Sequence, residues 1–284
     1  HGIFLLDTLR RNNRRKIKEV SDFDWRRNIR AYIEDSSEGN EEDEKRVCYA
    51  VVDRRLRLGN EFVGAKPAIG FCSQFEKSIV ALLLNLQTSF YGYDSTEAGT
   101  CFLAGLQNSG KKALVGHIAN LLWRPHRVLQ AVDYNNSDTR SFVARITNLC
   151  QSLAKIGGFL MLENVESLSP IILGIVGRIS ADICDALGSR SCSRIPSTSI
   201  IRRSSSLQLS YKSFGLILSS SYWGQVVPMP DVVRTVSTQM RCMHHATPDL
   251  VQVLKAQAIS LGFRYPADLA ARLQAAFSMI RNAM

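Results

Sequence analysis

Two short stretches carry residues whose types and spacing can do chemistry. The first, Gly105-Leu106-Gln107-Asn108-Ser109-Gly110-Lys111-Lys112, has the G-x-x-x-x-G-K spacing of a loop that cradles phosphate. Glycines at 105 and 110 let the backbone wrap an anion. The loop's N–H groups and the N-terminus of a following helix supply a positive field, and a lysine at position 111 reaches the β and γ phosphates. A hydrolase of this kind has Ser or Thr at the eighth position, where the hydroxyl binds Mg²⁺; here the residue is Lys112. A protonated ammonium ligates no metal and repels one, but it can itself offset phosphate charge. The plain alternative is a glycine-rich turn with a solvated pair of lysines.

The second stretch is Gly158-Phe159-Leu160-Met161-Leu162-Glu163, an apolar run ending in a carboxylate. Hydrolysis needs an Asp to hold the metal and a Glu to polarise the attacking water. Leu162 stands in the Asp position and Glu163 in the Glu position. Both metal-holding groups, the hydroxyl and the Asp, are therefore replaced, while a candidate base remains. The alternative for Glu163 is a strand-end carboxylate that is solvated or caps the next helix.

These stretches need a strand before each and a helix after. Cys101–Ala104 reads as a short apolar strand and 111–123 as the helix behind the loop. Val128–Val132, 158–162 and Phe214–Ser219 read as further strands, with helices over 138–155 and 168–187 between them. That alternation predicts a parallel sheet with helices on both faces. Upstream, 47–58 alternates like a strand pair and 73–90 is helical. Residues 1–35 read as a polar helical arm, with Trp25, Ile29, Tyr32 and Ile33 on one face. Residues 36–44 form an acidic break. The Ser- and Arg-rich stretch 188–213 interrupts the rhythm as an insertion, in which 207–211 alternates like one arm of a hairpin. After Pro248 the chain is helical again, with Pro266 suited to a first helical turn.

Composition limits the function classes. The chain has 284 residues, 45% hydrophobic and 21% charged, enough for a large domain with a smaller companion. No apolar run reaches membrane-spanning length, so no membrane role is expected. The chain begins at His1 and stops inside a helical pattern, which reads as a piece of a longer polypeptide. Seven scattered cysteines without a C-x-x-C suggest reduced, buried thiols in a cytoplasmic setting. Cys242, His244 and His245 lack a second ligand pair, so no metal site is expected there. The net charge of +10 is concentrated in 10–30 and again in 190–203. Neither set interleaves with aromatics, which disfavours a nucleic-acid platform and favours solvated surface. A basic module for an acidic partner is the reading that charge alone would support.

Further matches run along nearly the whole chain. Ser21-Asp22-Phe23-Asp24-Trp25, then Arg30-Ala31-Tyr32, resembles N-D-F-E-W and L-R-Y-Y at the end of the dynein linker. Asn60 to Pro67 is similar to Y-E-Y-L-G-N-x-P, Gly105 to Lys112 stands for G-P-A-G-T-G-K-T, and Met161 to Asn164 for F-D-E-F. Leu216 to Asp231 stands for the segment ending L-P-D, Pro248-Asp249 for the P-D that opens the small subdomain, and Leu261-Gly262-Phe263 for S-E-G-F. Over roughly 20–284 the chain resembles the first AAA+ module of dynein heavy chains, as a divergent, degenerate member.

The resemblance implies an α/β P-loop AAA+ module with a parallel five-stranded sheet flanked by helices. It implies a linker end and acidic connector over 1–45, a large subdomain over 46–246, and the start of a helical small subdomain over 247–284. Gly105, Ser109, Gly110, Lys111 and Lys112 are the implied nucleotide contacts; Ser220 stands at the sensor Asn, and Arg241 is the candidate arginine finger. ATP or ADP is the implied ligand, without Mg²⁺ and without fast hydrolysis. The implied partners are other AAA+ modules of the same longer chain and dynein or axonemal proteins, in a cytoskeletal, ciliary or flagellar setting. An active ATPase motor is the competing expectation, supported by Lys111 and Glu163 and opposed by Lys112, Leu162 and Ser220.

Overall fold

The computed structural model describes residues 17, 19–35, 45–59, 73–86, 97–131, 139–188, 213–221, 241–244 and 249–283. The basic run 10–16, the acidic break, the 60–67 loop and the 189–212 part of the Ser/Arg-rich insertion lie outside them.

Five parallel strands form the main sheet: β4 (Glu97–Gly105), β5 (His126–Gln130), β6 (Phe159–Glu163), β7 (Ser213–Ser221) and β8 (Arg241–His244). Their spatial order is β5-β6-β7-β4-β8. The central strands are apolar on both faces, because helices cover both. Alternate residues of β6 and β7 enter different clusters. Leu160, Leu162, Leu216 and Leu218 pack with Phe142 and Ile146 of α4 (Thr139–Ile156) and Leu173 and Val176 of α5 (Pro170–Gly188). Phe159, Met161 and Ile217 pack with Phe75 and Leu82 of α2 (Ser73–Asn85) and Leu114 and Ile118 of α3 (Lys111–Leu121). The expected parallel five-stranded sheet between helical layers is therefore the fold observed. Cys48, Cys101 and Cys150 are buried, and burial pushes the Cys150 thiol up to about 12.

The N-terminal arm differs from expectation. Among its described residues, only Phe23–Arg26 is helical (α1), and Arg30–Asp35 is a strand, β1. It pairs antiparallel with β2 (Lys45–Val51), which pairs with β3 (Arg54–Arg57). Tyr32 and Ile33 match helical spacing, but aromatic and β-branched residues also suit a strand, and pairing with β2 decides. Arg30 clasps the β2–β3 turn by donating to Val52 O at 3.1 Å and Arg26 O at 3.3 Å, while Arg26 pairs with Asp53. The expected boundary at 45/46 thus cuts through one three-stranded sheet. Val51 and Leu56 of that sheet join the core beneath α2 and α3.

After β8, Asp249 accepts from Val251 N at 3.0 Å and caps α6 (Leu250–Ser260); Pro266 opens α7 (Pro266–Ala283). The two helices pack on each other, and Val253 of α6 reaches the core on the α2/α3 face. No helix among the described residues is long and apolar enough to cross a membrane.

Candidate nucleotide-binding site

Because the five strands are parallel, their C-terminal ends share one edge of the sheet. β4 lies between β7 and β8, while its own connection through α3 leads to β5 at the far end. Such a divergence opens a crevice beyond the strand ends, where ligands of open α/β sheets sit.

The loop from Gly105 to Lys111 stands at that crevice. Asn108 has φ 60° and Gly110 φ 94°, left-handed conformations that bend the backbone sharply, and Ser109 N donates back to Leu106 O at 3.3 Å within the loop. Gly110 is the N-cap of α3, so the positive end of that helix faces the loop. Ser109 is buried. Lys111 is 6% exposed, and its Nζ donates to Gly105 O at 3.0 Å and to Leu106 O at 2.7 Å. The lysine thus lies folded over its own loop. Burial pushes its ammonium below the ordinary lysine range, while the carboxylates of Glu166 and Glu163 pull it back up. Lys112 is exposed on the first turn of α3.

Strand order sets the second stretch at the same edge as the first, with β7 between β6 and β4. Glu163 pairs across to Ser219 of β7 and to Gln130 of β5, whose Nε2 donates to Glu163 Oε2 at 3.1 Å. Glu163 lies on the sheet face covered by α3, two residues beyond Met161 of that cluster. Leu162 faces the other way, 0% exposed within the core under α4 and α5. Ser220 pairs with Ala104, is 1% exposed, and its hydroxyl has no hydrogen-bond partner among the described residues; the same holds for Ser219. Arg241 opens β8 in register with Cys101, four residues short of Gly105, so its backbone is not brought to the strand ends.

Two site residues went unread in the sequence. Gln130 becomes a neighbour of Glu163 only through strand order. Glu166 lies in a 3₁₀ turn (Val165–Ser167) that follows Asn164 at φ 57°, and its Oε1 accepts from Ser221 N at 3.0 Å. The signal available was a second carboxylate three residues after a strand-end carboxylate.

The arrangement fits a polyphosphate: a glycine-bearing loop, the N-terminus of α3 and a buried ammonium lie together at the C-terminal end of β4. It does not fit Mg²⁺ held in the usual way. The position for the metal-holding carboxylate is a core leucine, and the position for the hydroxyl is an exposed lysine. Among the described residues, no group of three or more His, Cys, Asp or Glu is placed to hold a metal.

No family model matches the sequence, and no curated protein does. Among solved structures, the chain is similar to one described as the structural basis for katanin self-assembly, with 14% identity and a TM-score of 0.35 over 61% of this chain and 51% of that one. It is also similar to the structure of C. elegans PCH-2, with 13% identity and a TM-score of 0.35 over 57% of this chain and 40% of that one. The chain thus spans about half or less of the length of these structures, and a likeness of this extent says nothing about activity.

Proposed function

We propose that the chain is an AAA+ nucleotide-binding module that holds ATP or ADP without appreciable hydrolysis. One observation carries this reading: Lys111 is buried over its own glycine-bearing loop, while Leu162, at the position of the metal-holding carboxylate, is a core residue. The loop binds phosphate through backbone and one lysine. Lys112 adds positive charge at the first turn of α3, where phosphate charge would otherwise be offset by a metal. Loss of one well-placed electrostatic group typically slows an enzyme about 10²- to 10³-fold. Here two metal groups and a sensor amide are replaced, although such losses need not add.

Residues quoted above as similar to dynein heavy chains support a finer reading. The module belongs to a longer dynein-like chain, contacts neighbouring AAA+ modules there, and has a structural or regulatory part in a microtubule-based or ciliary assembly. An active ATPase is the second reading. Its support is Glu163, which stays at the strand end near Lys111, held by Gln130. Phosphate release under saturating ATP and Mg²⁺ separates the two. The module is expected to release none above buffer, whereas turnover near the common enzyme range of about 10 s⁻¹ contradicts the proposal.

A further inference from the structure

Glu166 carries an inference that rests on the nucleotide-binding reading and deepens it. Its carboxylate is fixed: Oε1 accepts from Ser221 N at 3.0 Å. Ser221 is in register with Gly105, one strand spacing away, about 4.8 Å. Gly105 O in turn accepts from Lys111 Nζ at 3.0 Å. The anchor of Glu166 and the anchor of Lys111 are therefore adjacent positions on β7 and β4. The turn that brings the carboxylate there depends on Asn164 in the left-handed region, which asparagine adopts more readily than other side-chain-bearing residues.

We propose that Glu166 is a positioning residue that holds down the module's affinity for nucleoside polyphosphate by standing as a fixed counter-charge beside the phosphate-binding lysine. A polyphosphate entering the loop must draw Lys111 off Gly105 O and Leu106 O while a carboxylate stays fixed nearby. That carboxylate repels the incoming anion and favours the closed lysine. Glu163 contributes in the same direction from the β6 end, but it is tied to Gln130 and is set back two register positions from Ser221. Glu166 is the carboxylate anchored level with the loop.

The test is titration of a fluorescent ATP analogue into the protein and its Glu166→Gln and Lys111→Ala variants, at low and high salt, with EDTA and with Mg²⁺. Glutamine keeps the acceptor for Ser221 N and removes only the charge. The expected result is binding about threefold tighter in E166Q at low salt, the scale of an exposed ion pair. The gain should vanish near 1 M salt, where the screening length is about 3 Å, and should be the same in EDTA as in Mg²⁺. Unchanged affinity in E166Q, with binding weakened about 10- to 100-fold in K111A, overturns this inference and leaves the nucleotide-binding reading intact. Weaker binding in E166Q only when Mg²⁺ is present overturns it by making Glu166 a metal ligand. Absence of binding in the wild type and in E166Q alike overturns the nucleotide-binding reading together with it.

Discussion

The β4–α3 corner and the end of β6 lie at one edge of the sheet with β7 between them, and they offer a ligand different things. At β4–α3 the proposed phosphate site is made mainly of backbone. It consists of the left-handed turns at Asn108 and Gly110, the N-terminus of α3 and one buried lysine. At the end of β6 the metal half of the chemistry depends on a particular side-chain oxygen, and Leu162 supplies none. A backbone site tolerates sequence drift as long as its glycines and lysine stay. A side-chain site depends on one residue, and the residue at that position, Leu162, is packed in the core.

The largest effect that would sharpen this contrast comes from restoring the carboxylate. Leu162→Asp places a charge among Phe102, Leu129 and Leu218. It should cost about 3 kcal/mol or more of stability in denaturant unfolding, because a buried unpaired charge is poorly tolerated. An unchanged midpoint with newly Mg²⁺-dependent ATP binding would break the contrast. Next comes Lys111→Ala, which removes a charged hydrogen-bond donor worth about 1.5–3 kcal/mol to the phosphates. Nucleotide affinity should fall about 10- to 100-fold in a titration, with the circular dichroism spectrum unchanged.

Gly110→Ala tests the backbone half more gently. The added Cβ would stand 3.1 Å from Phe75 Cζ, at a residue with φ +94°. A left-handed alanine costs about 1–2 kcal/mol, so both thermal stability and nucleotide affinity should drop, and affinity unaltered by the change would argue that the loop is not the site. The smallest effect is pH dependence from His117 on α3. Burial holds its imidazole below the ordinary value of 6.5. The unfolded chain therefore binds a proton that the folded chain refuses as pH falls through 6.5, and stability is lost in that direction. Melting temperature should decline between pH 7.5 and 5.5, and His117→Gln should flatten the decline; an equal decline in the variant contradicts this assignment.

Much of the fold was legible because it is punctuated. Phe159–Leu162 and Phe214–Leu218 are unbroken apolar runs, and Gly105, Gly110 and Pro266 mark turns and a helix start where the structure has them. Strand β1 was not legible, because Ile29, Tyr32 and Ile33 satisfy a helical period and only partnership with β2 overrides it. Strand β8 is four residues long, Arg241–His244, too short for a period to register. In the site, Lys111 and Glu163 were legible from spacing. Gln130 and Glu166 were not, because their roles depend on which strands lie side by side and on a left-handed turn at Asn164.

Nucleotide binding at the β4–α3 loop is proposed to need no metal. Isothermal titration of ATP into the protein, once with Mg²⁺ and once with EDTA, tests it most directly. Binding of equal strength in both buffers is the predicted result, with loop backbone, Lys111 and Lys112 carrying the phosphate charge. Binding that appears only with Mg²⁺ contradicts the account and restores the ATPase reading.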